Sequence, residues 1–600
     1  MMTSILLSIL IASLPVSGDV IPDFSYVGYK NGNEPLPDYP VVETISVKDI
    51  AKALKRRQCA DTTSFIQAAI DRAAGKGGAT VLLKDGVYNV GRVLFIEGND
   101  VVLRGESREG TILRSTGKIQ RPAVVIGSCI PYKESDDPKK YGNFDGRRFG
   151  LSKIAVVDGT GRSNYGKYFL RQWLPATKLL TVKERTRIME DYCPVGRMWV
   201  EVENPELFSV GDPVVIERPH SVEWLSDIGM DKIASNGRST RPVMQWTKGK
   251  MRFRWTRKVT AVEGNKVWLD GPLVQSIDAN YGGGYVCKYV MKRVSGSGIE
   301  NLTISSSYDP SIKYKDGTTC CDENHTWYGV VFLSAEDCFA RRVDVRHVGF
   351  AAVMLISGTR CVTVEDCSFR EPVSIPLSAR RYGFCINGAE MCLLSHCYAE
   401  LAAIGFSTNA SGGGPNVFHK CRGENMRTGA GPHRKWSTGT LYDCCYNSAG
   451  FRCTDHGNSG TGHGWCGANT VFWNVETEGI IQCESPWAAE NTPELSFHSP
   501  YPSGRNYAVG VVGGKRVKVN LLKDFYGKPA VDYYDSLGFH SRPDAKWYPK
   551  VDYDGSGTRH ISLPCPEAEA EFDWWPRLNA VRFTDPLSLY QCQLESRKAK

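Results

Sequence analysis

Long hydrophobic runs are rare in this chain of 600 residues. Beyond position 18, no segment contains the roughly 18 uninterrupted apolar residues that a membrane-spanning helix needs, so the sequence predicts no membrane span. Residues 1–18 hold one apolar stretch, from Ile5 to Leu14, followed by small residues but preceded by no Lys or Arg. This pattern favours a secretory signal peptide, and we expect cleavage before Asp19 and a secreted, extracellular protein.

Runs of Lys or Arg are also missing. The 73 basic and 65 acidic residues leave a formal net charge of only +8. Because the chain lacks a basic run or a basic stripe interleaved with aromatic residues, we predict no nucleic-acid partner. A mild positive excess suits an acidic polymer, although a solvated surface explains it equally well.

Recognisable metal-binding spacings are the third absence. The sequence has no His-Glu-x-x-His motif, no paired-cysteine zinc spacing and no calcium loop. We therefore expect no dedicated metal site and assign no cofactor. Binding of Ca²⁺ is left open, because acidic residues are plentiful.

The centre of the chain carries a short strand motif that returns and ends in Cys or Val. It occurs as RRVDV, TVEDC, LLSHC, VFHKC, LYDCC and VFWNV. The last position aligns at Val343 or Val345, Cys367, Cys397, Cys421, Cys445 and Val475, with steps of 30, 24, 24 and 30 residues from Cys367. No helical pattern separates these strands, so the repeat predicts one short strand per coil of a parallel β-helix.

The cysteines admit two structural roles. In an exported protein the twenty Cys can form disulfides or pack as small buried hydrophobic residues, and the sequence does not give a connectivity. For Cys397 and Cys421 we favour an inward structural position over a catalytic one. Asn301, Asn324 and Asn409 begin glycosylation triplets, which would make the protein a glycoprotein in a host that secretes through an ER.

Patterns outside the repeat predict its surroundings. Ile66, Ala69, Ile70 and Ala73 have helical spacing behind Asp61 or Thr62 as a cap, which indicates a helix that closes the end of the solenoid. Alternating apolar and polar residues with Gly-rich turns predict an antiparallel β insertion. The expected division is 1–18 signal peptide, 19–178 N-terminal cap and first coils, 179–275 insertion, 276–515 main β-helix, and 516–600 a tail packed on the solenoid.

Several segments resemble a known family. DFSYVGYKNGNEPLP, DTTSFIQAAID, GGATVLLKDGVYNV and DVVLRGES, with the coil repeats, resemble the secreted pectate-lyase-like, right-handed parallel β-helix proteins over nearly the whole mature chain. ARRYGFCING, GPNVF, GPHRKWSTGTLYD and GTGHGWCGANTVFWN are similar to a narrower bacterial-type subgroup of unsettled activity. The resemblance implies an all-β, right-handed parallel β-helix and the degradation of polysaccharides by a lyase or a glycoside hydrolase.

Basic and aromatic clusters fit the chemistry of a lyase. Cleavage of a uronate polymer by β-elimination requires neutralisation of the C5 carboxylate, removal of the C5 proton and protonation of the departing glycosidic oxygen. The stretches Arg380-Arg381-Tyr382 and His433-Arg434-Lys435 lie about two coils apart, or about 10 Å along a solenoid. His463 follows one coil later, and a shared face would place all of them in one groove.

We assign roles on that basis. His433 or Lys435 is the predicted base, and Tyr382 or His463 the predicted proton donor. The predicted substrate-binding residues are Arg380, Arg381, Arg434, Trp436, Asp455, His456 and Trp465. Arg381 and Arg434 would clamp carboxylates, and Trp436 and Trp465 would stack on sugar rings. A solvated loop is the alternative interpretation of the basic triplet.

Two other functions stay open. A hydrolase needs two carboxylates about 5 to 9.5 Å apart, and the candidates are Asp443, Asp455, Glu476, Glu478 and Glu484. A non-catalytic glycan-binding or structural β-helix is the second alternative. It is favoured by Ala403-Ile404-Gly405-Phe406, which stands before GPNVF where the similar proteins have Arg-His-Asp-Phe.

Overall fold

The computed structural model describes twelve stretches of the chain. They are residues 21–118, 120–127, 181–233, 243–248, 252–356, 358–376, 380–409, 411–483, 506–509, 512–513, 516–519 and 587–599. The predicted signal peptide, Glu484 and most of the predicted tail lie outside the described residues.

Parallel strands stack in three faces along the solenoid. The first face contains Val41–Ile45, Ala79–Leu83, Val101–Gly105, the first halves of Gly298–Ser306 and Phe339–Arg346, then Thr363–Glu365, Cys392–Ser395, Asn416–His419, Thr440–Asp443, Thr470–Trp473 and Asn506–Val509. The second contains Gly86–Val90, Thr111–Ser115, the second halves of the same two long strands, Ser368–Arg370, Tyr398–Glu400, Arg422–Glu424, Tyr446–Asn447, Glu476–Thr477 and Val512–Gly513. The third contains Leu94–Ile96, Pro122–Gly127, Tyr328–Leu333, Ala351–Ile356, Gly383–Asn387, Phe406–Asn409 and Gly431–Arg434, and continues through Gly450–Cys453, Ile480–Cys483 and Arg516–Val519. The predicted all-β fold class and parallel β-helix are confirmed.

In the coils that carry the repeat, a left-handed residue forms the corner between the first and second faces. The residue before each aligned motif end has a positive φ, namely Asp366 at 47°, His396 at 53°, Lys420 at 51°, Cys444 at 53° and Asn474 at 47°. Such a residue turns the chain sharply and starts the next strand with its first side chain directed inward. The motif therefore returns in the sequence because this corner returns once in every coil of the repeat.

The aligned cysteines lie inside the solenoid, as predicted. Cys367, Cys397, Cys421 and Cys445 belong to the main apolar core. Each thiol also approaches a carbonyl of the preceding coil, for example Cys421 Sγ to Leu394 O at 3.4 Å and Cys445 Sγ to Phe418 O at 3.2 Å. Cysteine fits this position because its side chain is small and apolar and still carries a weak donor.

Two predictions about covalent modification are not supported. All eighteen cysteines in the described part of the chain are free thiols, so the predicted disulfides do not occur among them. Asn409 is buried, and its Nδ2 lies 3.1 Å from Cys385 Sγ, which leaves no room for a glycan. Asn301 Nδ2 donates to the carbonyls of Gly105 and Glu106. Glycosylation at Asn324 stays a prediction.

A helix closes the N-terminal end of the solenoid. It spans Thr62–Ala73, and the Asp61 carboxylate caps it by accepting a hydrogen bond from Ser64 N at 2.8 Å. Ile66, Ala69 and Ile70 pack into the same core as the first coils. A second helix, Val47–Lys55, precedes it, and short 3-10 turns occur at Phe24–Tyr26, Tyr29–Gly32, Pro205–Leu207, Ala279–Tyr281 and Ser459–Thr461.

The insertion is an antiparallel sheet of six strands, as the alternation predicts. In spatial order they are Trp199–Glu201, Lys266–Leu269, Arg252–Glu263, Pro213–Pro219, Tyr285–Val290 and Thr181–Arg187. The sheet continues to Val290, beyond the predicted boundary at 275, because Tyr285–Val290 pairs with two strands of the insertion.

Minor elements are the helix Val222–Asp227 and the strand pairs Tyr192–Cys193 with Ile277–Asp278, Val294–Ser295 with Ala335–Glu336, and Ser437–Thr438 with Gly467–Ala468.

A C-terminal helix, Leu589–Lys598, packs beside the N-terminal segment. The fully buried Asp443 carboxylate holds its first turn by accepting hydrogen bonds from Leu589 N at 3.0 Å, Tyr590 N at 3.3 Å and the Ser588 hydroxyl. Arg597, near the helix end, donates to Ser25 and Asn31. The described part of the tail thus packs against the segment near Phe24 and the flank of the solenoid.

No helix in the described stretches is both long enough and apolar enough to cross a membrane.

Candidate functional site

The third face brings together a tyrosine and a histidine from coils two turns apart. Tyr382 immediately precedes the strand Gly383–Asn387, and His433 lies in Gly431–Arg434, with one strand between them. Tyr382 Oη lies 3.2 Å from His433 Nε2, and the ring centroids are 5.5 Å apart. The predicted meeting of these two stretches therefore occurs at a hydrogen-bonded pair of acid–base groups.

A hairpin loop adds two further histidines. Asp455 and Trp465 pair at its base, and His456 N donates to Gly464 O at 3.0 Å. The rings of His456 and His463 then lie with centroids 5.5 and 5.0 Å from that of His433. His456 Nδ1 donates to the carbonyl of His433 at 2.7 Å, which fixes the tautomer of His456.

A glycine and a left-handed turn fix this arrangement. Gly460 has a φ of 54°, and a Cβ at this position would lie 2.1 Å from His463 Cε1. Lys435 and Trp436 both have a φ of 58°, and Lys435 N donates to His463 O at 3.0 Å. Two successive non-glycine residues in the left-handed region store strain, a feature that clusters at functional sites.

Burial and positive neighbours keep the three imidazoles neutral. Desolvation, with further contributions from His463, His456 and Arg434, holds the pKa of His433 well below 6.5. Desolvation lowers the pKa of His463 to about 3 and that of His456 to about 4. Burial and the adjacent Arg434 also lower the pKa of Lys435. A neutral imidazole is the form that can accept a proton.

Acidification is expected to weaken the fold through His463. The pKa of His463 is lowered to about 3 in the native protein. As the pH falls below 6.5, the unfolded chain therefore binds a proton at His463 while the native protein does not. The contribution of His463 to the free energy of unfolding is thus complete above pH 6.5 and is lost as the pH falls toward 3. Urea unfolding between pH 7 and 5 should give a steeper decline for wild type than for His463→Gln. Equal slopes would contradict this assignment.

Two predicted substrate-binding residues, Arg380 and the predicted clamp Arg381, lie inside the wall, so their predicted role is wrong. Arg380 is 3% exposed and forms a buried ion pair with Glu323, in which Nη2 donates to Oε2 at 2.9 Å. Arg381 is 6% exposed, and its Nε donates to Ser374 Oγ at 3.3 Å. Both guanidinium groups are held by protein groups and do not face a substrate. Arg434 and Lys435, by contrast, are half-buried at the rim of the histidine cluster.

The two tryptophans are structural as well. Trp436 is fully buried, and its Nε1 donates to Gln275 Oε1 at 2.8 Å. Trp436 and Trp465 share an apolar core with Trp224, Trp246 and Trp255 of the insertion. They attach the insertion to the solenoid, and the prediction that they stack on sugar rings is wrong. The side chain of Asp455 accepts a hydrogen bond from Gly457 N at 2.7 Å and so shapes the hairpin loop.

The four predicted hydrolase carboxylates with described positions, Asp443, Asp455, Glu476 and Glu478, belong to three different parts of the fold. Asp443 caps the C-terminal helix and is fully buried, which excludes it as a catalytic carboxylate. Glu478 accepts a hydrogen bond from Tyr446 at 3.3 Å, and Glu476 belongs to a strand of the second face. Asp455 lies at the hairpin loop instead.

The structure reveals a carboxylate pair that the sequence analysis missed. Tyr398 Oη lies 3.0 Å from Glu400 Oε2 and 3.0 Å from Glu424 Oε2, so these two oxygens are at most 6.0 Å apart. Both glutamates are partly exposed on the second face. Their separation of 24 residues equals one coil of the repeat, so the two glutamates are paired on adjacent strands. This spacing is the feature of the sequence from which the pair could have been predicted. Arg452, whose charge helps to lower the pKa of His433 and His456, was also missed.

Among the residues with described positions, no group of three or more His, Cys, Asp or Glu is arranged to hold a metal ion. Fold and site together define a parallel β-helix with a tyrosine–histidine pair in its wall. No protein-family model matches the chain, and a search among curated proteins finds no match.

Solved structures that match the chain include two phage tailspikes and a pectin methylesterase. The Gp54 tailspike of Acinetobacter baumannii bacteriophage AP22, solved with a capsular saccharide, has 12% identity, covers 73% of this chain and 57% of its own, and gives a TM-score of 0.35. The tailspike gp61 of Pseudomonas phage phi297 has 13% identity, 79% and 63% coverage, and a TM-score of 0.35. A pectin methylesterase solved with a hexasaccharide has 11% identity, 86% and 99% coverage, and a TM-score of 0.29. The chain thus spans less than two thirds of either tailspike, and similarity at this level identifies no activity.

Proposed function

We propose that this protein is a secreted carbohydrate-active enzyme, a polysaccharide lyase that cleaves an acidic, uronate-containing polymer by β-elimination. The observation that carries the proposal is the contact between Tyr382 Oη and the neutral imidazole of His433 at 3.2 Å. The elimination requires a base for the C5 proton and an acid for the glycosidic oxygen, and this pair offers both.

The proposed reaction uses this pair as a relay. His433 Nε2 accepts the C5 proton, the C4–O bond breaks, and a C4–C5 double bond forms. Tyr382 gives its phenolic proton to the departing glycosidic oxygen and recovers a proton from the His433 imidazolium through their hydrogen bond. Both residues return to their starting forms, so the step balances without a further reactant.

The charge that develops on the substrate needs a cation at the same place. Arg434 directly follows His433 at the rim of the cluster, and its charge already acts on the rings of His433 and His463. In the proposal its guanidinium neutralises the C5 carboxylate, which acidifies the C5 proton. Lys435 is the second cation at the rim and the alternative base. Participation of Ca²⁺ stays a prediction.

The test is a panel of uronate polymers incubated with the purified protein. A lyase product contains an unsaturated uronate, so absorbance should rise near 235 nm together with new reducing ends. Reducing ends without that absorbance would replace the lyase by a hydrolase. Binding without any turnover, unchanged by His433→Ala or His463→Ala, would favour a non-catalytic glycan-binding protein.

A retaining glycoside hydrolase is the second candidate, and Glu400 and Glu424 favour it. Their carboxyl oxygens are at most 6.0 Å apart, and a nucleophile and an acid/base carboxylate in retaining enzymes are about 5 to 5.5 Å apart. If this pair is catalytic, Glu424→Gln abolishes the release of reducing ends and Tyr382→Phe leaves it unchanged. The lyase proposal requires the opposite result.

A further inference from the structure

Four arginines lie on one face of the inserted sheet. Arg185 and Arg187 belong to the strand Thr181–Arg187, and Arg252 and Arg254 to the strand Arg252–Glu263. In the register of the sheet, Glu217 is opposite both Arg254 and Tyr285, and Tyr285 is opposite Arg187. Because alternate residues of a strand point to the same side, the four arginines share this face with Glu217 and Tyr285. We name these four residues the arginine strip.

The strip carries uncompensated positive charge. Arg185 and Arg252 lie 3.3 and 3.2 Å from Glu217 Oε1, and Arg254 lies 2.8 Å from Oε2. Arg187 is exposed and forms no ion pair within the described ranges. These four guanidinium groups and the Glu217 carboxylate together carry a net charge of +3.

The strip is accessible at Arg185 and Arg252. The side chains of Arg185 and Arg252 are 48% and 45% exposed. The guanidinium of Arg185 lies over the ring of Tyr285, 3.5 Å from its centroid. The strands that carry these arginines are separated by two others, but the side chains of Arg185, Arg252 and Arg254 converge on the Glu217 carboxylate, so their charges form one cluster. A cluster with more cations than carboxylates can bind a further carboxylate from a ligand.

The strand that carries Arg252 and Arg254 is attached to the coils of the candidate site. Trp255, next to Arg254, donates from Nε1 to Gly413 O at 3.1 Å and to Thr438 Oγ1 at 3.1 Å. Gly412 N in turn donates to Trp436 O at 3.2 Å, in the turn that follows His433. A polymer held at the strip would thus be held by an element fixed to the coils of the histidine cluster.

We propose that the arginine strip is a binding subsite for a carboxylate-bearing polysaccharide and holds units of the chain away from the bond that is cleaved. Guanidinium groups bind carboxylates in paired hydrogen bonds, and the excess charge draws in a polyanion. The inference rests on the proposed function for the acidic nature of the polymer.

The experiment compares two charge-matched triple variants. Arg185→Gln/Arg187→Gln/Arg252→Gln removes three strip charges and leaves Arg254 to pair with Glu217. Lys48→Gln/Lys55→Gln/Arg56→Gln removes three exposed charges in and just after the helix Val47–Lys55. Binding of polygalacturonate and alginate is measured at several salt concentrations, with neutral dextran as the control polymer.

The strip variant should bind both acidic polymers at least tenfold more weakly than wild type, with a shallower dependence on salt, and the helix variant should match wild type. Equal weakening in both variants, no weakening in the strip variant, or no binding by wild type would overturn the proposal. Turnover is recorded separately. Strip-dependent binding without cleavage by wild type would reject the lyase alone, and cleavage with strip-independent binding would reject the subsite alone.

Discussion

His433→Gln is expected to lower kcat by about 10²- to 10⁴-fold on any uronate polymer that the protein depolymerises, with KM little changed. Glutamine retains a polar side chain at the rim but cannot accept the C5 proton. The loss should appear in the initial rate of absorbance near 235 nm. His347→Gln is the matched control, because His347 contacts Ser305 and Glu371 and no member of the histidine cluster.

Tyr382→Phe separates the two partners of the relay. The ring should still pack on Phe350, whose centroid is 4.9 Å away, while the phenolic proton is lost. We expect a similar loss of kcat with unchanged thermal stability. Full activity in His433→Gln, combined with loss in Lys435→Gln, would transfer the role of base to Lys435.

The pH dependence of kcat/KM also tests the assignment of His433 as the base. Because burial and neighbouring positive groups hold the pKa of His433 well below 6.5, its imidazole stays neutral in mild acid. The acidic limb of kcat/KM should therefore lie well below pH 6.5. A limb at the ordinary pKa of histidine would show that a solvated group, and not His433, is the base.

Arg380→Gln is expected to lower the free energy of unfolding by about 3–5 kcal/mol, because it leaves the Glu323 carboxylate buried without its charge partner. Glu323 is 1% exposed, and besides Arg380 it accepts a hydrogen bond from Ile375 N at 3.2 Å. Urea unfolding of wild type and variant at pH 7 measures the difference.

A double variant tests the reason for that loss. Arg380→Met/Glu323→Leu removes both charges, and it should recover most of the stability because no uncompensated charge remains buried. If Arg380 were instead a substrate clamp, Arg380→Gln would raise KM and leave the free energy of unfolding unchanged.

The repeat was predictable because it reflects a local backbone requirement. Each coil of the repeat turns between its first and second faces at a left-handed residue, such as Lys420, and directs a small apolar residue, such as Cys421, inward. That requirement returns once per coil, so the spacing in the sequence reported the fold. The capping helix at Thr62–Ala73 was predictable for a similar reason, since its apolar spacing and its cap are both local.

Part of the candidate site followed from the same register. Tyr382 and His433 lie two coils apart in sequence and meet in space, and the hairpin loop carries His456 and His463 to His433. The coil repeat therefore indicated which stretches could share a groove. The repeat did not indicate which side chains are exposed on the outer surface of the solenoid.

Only the tertiary structure showed which of the neighbouring cationic and aromatic side chains are buried and which are accessible. Arg380 and Arg381 read as the same kind of basic cluster as Arg434 and Lys435, yet the first pair is buried and satisfied by Glu323 and Ser374. The sequence predicted that Trp436 stacks on a sugar ring, but in the structure the insertion covers this side chain. A sequence records that a charged or aromatic group is present, whereas its burial depends on partners distant along the chain. Composition and coil spacing thus determined the architecture, and long-range packing decided which side chains remain free to meet a substrate.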